Sequence, residues 1–175
     1  MSATRLCWRV WFSSQATANA RLGRQRIVLF LVHHGDAVGP AVNPMRPLSD
    51  RGRVEVDILA QKAAERGARP DVIWHSGKLR ARETAQAYWK RCNPLAAFSA
   101  TRGLQPTDPT NWIVDSIKGE AKHILLAGHF PHLPRLLGRL LSGNPEADPV
   151  DFPLNGIVAL EEAGGKWEER WRMKP

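Results

Sequence analysis

Cysteine is nearly absent from this chain of 175 residues: only Cys7 and Cys92 occur, far apart and in unlike surroundings. That excludes a disulfide framework and a cysteine-based zinc site, and it fits a reducing compartment, so a cytoplasmic location is expected. No apolar run is long enough to span a bilayer, and no membrane association is expected. Acidic residues are missing from the first 26 positions, which carry Arg5, Arg9, Arg21, Arg24 and Arg26. Five of the eight net positive charges therefore sit there, and the other 149 residues are only mildly basic. With no basic stripe interleaved with aromatics in that body, a nucleic-acid partner is not expected. Repeats and a domain linker are also lacking. What remains has the length of one domain with a single sizeable core.

The opening segment MSATRLCWRVWFSSQATANARLGRQR is rich in Arg, Ser and Ala, a composition that organellar transit peptides share. Its apolar piece, LCWRVWF, is interrupted by Arg9 and makes a poor signal-peptide core. Residues 1–25 are read as a disordered basic tail or as translation from an upstream start codon. They are set aside, and residues 26–175 are taken as the domain.

Helix-like and strand-like patterns alternate in that domain, the mark of a mixed α/β architecture. IVLFLV (27–32) is a continuous apolar run suited to a strand buried on both faces. Ser49 caps a predicted helix that stops near Gly67, with Val54, Ile58, Leu59 and Ala63 on its apolar side. DVIWHS (71–76) is a second strand. KLRARETAQAYWKRC (78–92) is a second helix, with Leu79, Thr84 or Ala85, and Tyr88 or Trp89 inward. A short strand near Phe98 and a helix from about Pro109 to Lys118 follow. HILLAG (123–128) is a third buried strand. Beyond it a helix carries Leu136, Leu137, Leu140 and Leu141, with Pro131 and Pro134 suited to its first turn. GIVALEE and KWEERWRMK flank Gly164-Gly165 as a hairpin, with Trp167 and Trp171 placed in the core.

Three apolar strands thus each run into a polar cluster: LV-HHGD, IWH-SGKLRAR and LLAG-HFPH. In a parallel sheet those carboxyl ends lie together, where ligands bind. The converging residues are His33, His34, Ser76, Arg80 and His129, with Arg46 as a further candidate. A metal site is not expected. Adjacent histidines on an extended backbone point opposite ways, the arginines would repel a cation, and no carboxylate cluster accompanies them. Phosphoryl transfer suits the set better. A neutral imidazole can attack phosphorus, and the charged equatorial oxygens call for planar guanidinium groups and a second imidazole.

The motifs LVHHGDA, RPLSDRG (46–52), HSGKLRARETA (75–85) and LLAGHFPHL (125–133), in this order, resemble the histidine phosphatase superfamily, and within it the small SixA-type phosphohistidine phosphatases. The resemblance implies a phosphoglycerate mutase-like fold, a three-layer α/β/α sandwich around a mostly parallel sheet with an antiparallel C-terminal element. It places His34 at the nucleophile, Arg80 at the phosphate-binding arginine and His129 at the second pocket histidine. No metal or other cofactor is implied. Where the family has Arg before the nucleophile, this chain has His33. Losing a charged clamp on the transferring phosphate costs on the order of 10²-fold in rate.

The implied activity is hydrolysis through a phosphohistidine intermediate, with a phosphohistidine protein of a phosphorelay as substrate. The alternatives are a general phosphomonoesterase of small phosphoesters, or a weakened phosphate-binding module. An alkoxide leaving group needs a proton donor, whereas imidazole does not need the same help. Glu83 is the best carboxylate for that work, yet it reads more simply as part of a solvated helix face. Arg46 could instead pair with Asp50. Ser76 and Asp36 read as turn and cap residues, His75 and His132 as flanking the site or exposed, and His123 as structural.

Overall fold

The computed structural model describes residues 26–175, so the basic segment 1–25 lies outside the described residues. Ten elements follow in order. They are β1 (Val28–His33), α1 (Asp50–Glu65), β2 (Val72–His75), α2 (Leu79–Cys92), β3 (Ala97–Ala100), α3 (Thr110–Ile117), β4 (Ile124–Gly128), α4 (His132–Ser142), β5 (Ile157–Ala163) and β6 (Lys166–Met173). The strands form one sheet in the order β3-β2-β4-β1-β5-β6. The first four are mutually parallel, while β5 and β6 run antiparallel as the predicted hairpin.

Side chains of the central strands alternate between two cores. Phe30, Val32, Ile73, Leu125 and Ala127 face α1 and α2, packing on Val56, Leu59, Ala63, Ala85 and Tyr88. Leu29, Leu31, Ile124 and Leu126 face α3 and α4, packing on Ile113, Ile117, Leu133, Leu136 and Leu137. The result is the expected three-layer α/β/α sandwich. No helix among the described residues is long and apolar enough to cross a membrane.

The faces of two helices differ from the sequence pattern. In α1, Val54 and Ile58 are exposed (60% and 48%), and the inward stripe is Gly52, Val56, Leu59, Ala60 and Ala63. Small residues win because the first turn of α1 lies almost on the loop after β1: a Cβ on Gly52 would strike the Asp36 carbonyl, and one on Gly35 would strike Val56. Ser49 does cap this helix, its side chain accepting from the Gly52 N–H at 3.0 Å, while Asp36 O accepts from the Ser49 N–H. In α4, Leu141 is partly exposed, unlike its three apolar neighbours.

Trp167 and Trp171 do not form one stripe. The β5–β6 register shifts between Ala159 and Leu160, so Trp171 packs on the α1/α2 side beside Phe30 while Trp167 packs on the α3/α4 side. One extra residue in a strand reverses its faces.

The contact between α1 and the β1 loop sets an expectation. Gly52→Ala will lower stability by about 1–3 kcal/mol through overpacking. Gly39→Ala, with nothing within 4 Å of the added carbon, will change it by less than about 0.5 kcal/mol. Urea denaturation of the two variants checks the difference.

Candidate active site

The parallel neighbours β2, β4 and β1 end at the same edge, with His75 opposite Ala127 and His33 opposite Gly128. That register delivers His33 and His34 from β1, Ser76 and Arg80 from the β2–α2 junction, and His129 from just past β4. The structure brings all five together.

His34 is held at both ring nitrogens. Its Nδ1 lies 2.7 Å from the carbonyl oxygen of Gly35, and Arg80 Nε donates to its Nε2 at 3.1 Å. A guanidinium can only donate, so Nε2 carries a bare lone pair and the ring proton sits on Nδ1. Thr84, fully buried, locks the two elements that create this pairing. Its hydroxyl donates to the Arg80 carbonyl at 2.8 Å and accepts from the Gly35 N–H at 3.0 Å. Burial holds the His34 pKa down at about 4; the Gly35 carbonyl opposes that shift, and the positive charges of Arg80 and Arg46 add to it.

His33 and His34 do not point apart. β1 ends at His33, the chain leaves the pleat, and the two rings come to 4.4 Å between centroids. His33 is buried against Phe130, 4.3 Å away, and its Nδ1 accepts the Asn155 backbone N–H at 3.0 Å. Burial, followed by the neighbouring His34 and Arg80, pushes its pKa down to about 3. In place of a guanidinium, position 33 therefore offers one neutral N–H.

His129, also buried, lies 5.0 Å from His34 between ring centroids, and its Nε2 is 2.6 Å from Ser76 Oγ. Its Nδ1 is buried with no partner. The tautomer protonated at Nε2 uses its hydrogen toward Ser76 and leaves only a lone pair unpaired. Burial, then His34 and Arg80, lower its pKa to about 2. Arg46 adopts a left-handed backbone (φ 49°) and donates from Nε to the Val38 carbonyl at 3.2 Å. Among the described residues no ion pair joins it to Asp50, and its charge reaches both His34 and Arg80.

Several other side chains depart from their sequence reading. Glu83 is not on a solvated face: it accepts the Leu48 N–H at 2.7 Å and pairs with Arg53 at 3.0 Å, pinning the loop before α1 to α2. His75 and His132, read as flanking the site or exposed, are buried, which leaves the first alternative. His75 accepts the Gly77 N–H, while His123 is structural as expected, accepting the Val28 N–H as a strand-edge brace. Asn155 and Thr84 were missed as site residues. Thr84 carried a weak signal, four residues after Arg80 on one helix face. Asn155 carried only the turn composition of Pro-Leu-Asn-Gly. Among the described residues, no three His, Cys, Asp or Glu side chains form a group that could hold a metal ion.

Chemically, this edge of the sheet joins a bare imidazole nitrogen to a set of donors: one guanidinium in contact, a second nearby and two neutral imidazoles. Such a set suits a tetrahedral oxyanion that becomes bonded to nitrogen.

No family model matches the chain. Among solved structures it is similar to the protein histidine phosphatase SixA complexed with tungstate (TM-score 0.73, 22% identity, 84% of this chain and 96% of that one). It is also similar to a SixA protein from Agrobacterium tumefaciens (TM-score 0.69, 22% identity, 85% and 98%). A 62-residue stretch is 44% identical to a 2,3-bisphosphoglycerate-dependent phosphoglycerate mutase of Gloeothece citriformis, covering 33% of this chain and 27% of that protein. SixA proteins and this mutase are histidine phosphatase superfamily members, and the chain has the phosphoglycerate mutase-like fold of its SixA neighbours.

Histidines whose pKa is lowered by burial make stability pH-dependent. His33, His34, His129 and His132 titrate at about 3, 4, 2 and 4 in the folded protein, against about 6.5 unfolded. Below pH 6.5 the unfolded chain binds protons that the folded chain refuses, so stability is complete above that value and falls as pH drops toward 4. Each histidine contributes up to about 1.4 kcal/mol per pH unit in that window. Urea midpoints at pH 7 and pH 5 are expected to differ clearly, with the lower midpoint at pH 5.

Proposed function

We propose that the chain is a metal-independent histidine phosphatase that removes phosphate from phosphohistidine in a protein. The observation that carries this reading is the pairing at His34, with its proton committed to Gly35 and its bare Nε2 facing Arg80. Substrate would take Arg80 over from Nε2, so that the guanidinium binds a phosphoryl oxygen as the lone pair attacks phosphorus. The bond from phosphorus to the substrate nitrogen breaks and the bond to His34 Nε2 forms. The positive charge on the imidazole is shared with the Gly35 carbonyl. His129, released from Ser76, and the Nε2–H of His33 donate to the other oxygens, with Arg46 adding positive charge. Water then displaces His34 and frees inorganic phosphate.

The leaving group separates this reading from a general phosphomonoesterase. Glu83, the best candidate acid, is occupied by Leu48 and Arg53, and Asp36 accepts from the Ser49 hydroxyl. Neither is free to protonate an alkoxide, whereas an imidazole protonated at its far nitrogen leaves without that help. A weakened phosphate-binding module is the second reading, favoured by the neutral His33 in the position of a guanidinium.

Phosphate release from a phosphohistidine-bearing protein, with chelator present, tests the proposal. Wild type is expected to turn over. His34→Ala should lose at least about 10³-fold in kcat, and Arg80→Ala about 10²–10³-fold. Equal activity on alkyl phosphates would favour the phosphomonoesterase. Tungstate binding without any turnover would favour the binding module.

A further inference from the structure

The two histidines that meet at this edge of the sheet are held by one residue, 122 positions after the first and 121 after the second. Asn155 donates its backbone N–H to His33 Nδ1 at 3.0 Å and its side-chain amide to the His34 carbonyl at 2.6 Å. The Gly156 N–H donates to the Pro153 carbonyl at 3.0 Å, which closes a four-residue turn with Leu154 and Asn155 at its centre. Asn155 sits there at φ 53°, a left-handed conformation that asparagine tolerates better than most residues. The next residue continues the grip, as the Gly156 carbonyl accepts the His33 N–H at 3.0 Å.

We infer that Asn155 is a positioning residue of the phosphate site: it fixes the ring tautomer of His33 and the peptide of His34 together, so that both imidazoles present Nε2 to the same ligand. The logic is one of donors and acceptors. A backbone N–H can only donate, so His33 Nδ1 must be bare and its one hydrogen must lie on Nε2. His34 has the opposite tautomer, with Nδ1 protonated and Nε2 bare. The pair therefore supplies one donor and one nucleophile rather than two equivalent rings. An arginine at position 33 has no acceptor and would leave the Asn155 N–H without this partner. The Pro153–Gly156 turn and the histidine thus form a matched set.

The kinetic consequence rests on the phosphatase reading; the tautomers are a property of the protein alone. The test uses the full chain with ¹⁵N-labelled histidine, Asn155→Gly and Asn155→Asp. Both variants tolerate the left-handed backbone, but neither can donate a side-chain N–H to the His34 carbonyl, and the aspartate places a carboxylate oxygen against it. If Asn155 served only the turn, both would behave as wild type. Long-range ¹H–¹⁵N spectra of wild type are expected to show His33 protonated on Nε2 and His34 on Nδ1; both variants keep the backbone N–H, and with it the His33 tautomer, but lose the amide bond to the His34 carbonyl, so their His34 ring signals are expected to shift. Turnover of the phosphohistidine protein is expected to fall about tenfold or more, with near-wild-type thermal melting and the larger loss in the aspartate variant. Should wild type show no turnover, the phosphatase reading fails by itself. Weakened binding of inorganic phosphate by both variants, with shifted His34 ring signals, would still support the positioning role. A wild-type His33 protonated on Nδ1, or two variants with wild-type His34 ring signals and wild-type turnover or phosphate affinity, overturns the inference.

Discussion

A neutral histidine ring has one bare nitrogen, and in this protein the carbonyl of Gly35 decides which nitrogen of His34 that is. By holding the Nδ1 proton of His34 it exposes Nε2, where Arg80 now sits. The surrounding structure serves that short contact. Thr84 ties the peptide of Gly35 to the helix that carries Arg80. Close packing of Gly52 on Asp36 keeps the first turn of α1 beneath the loop. Glu83 then fastens the far end of the same loop to α2. A side chain longer than hydrogen at position 35 or 52 would separate these elements.

The second constraint is charge. His33, His34 and His129 crowd together beside two arginines in a buried setting, where a protonated imidazole is costly. All three therefore stay neutral well below physiological pH. A neutral cluster keeps the His34 lone pair free of a proton and leaves Arg80 and Arg46 as the positive charges acting on it. It also means that His33 does not recover, through protonation, the charge that a guanidinium would bring.

Much of the architecture was legible in the sequence. The run 27–32 is apolar on both faces and reads as a central strand, 71–76 and 123–128 read as two more strands, and their polar ends mark the edge where the site forms. Ser49 and Gly164-Gly165 announced a cap and a hairpin through local chemistry. What escaped depends on partners distant in the chain. The inward face of α1 follows from its contact with Gly35, not from its own periodicity. The splitting of Trp167 from Trp171 follows from a bulge paired across a hairpin. His33 and His34 meet because Asn155, more than a hundred residues away, bonds both. Glu83 was read as solvated because its partners, Leu48 and Arg53, lie on another element. Periodicity reports what a segment needs to bury; it does not report which side chain will answer it.

The most direct measurement is of the covalent intermediate. The protein would be mixed with a phosphohistidine-bearing substrate, quenched in base, where phosphohistidine survives, and digested for mass spectrometry. The expected result is a phosphoryl group on the peptide containing His34, transient in wild type and absent from His34→Ala. Release of phosphate by wild type with no phosphorylated His34 at any quench time, or undiminished turnover by His34→Ala, would contradict nucleophilic attack by this residue.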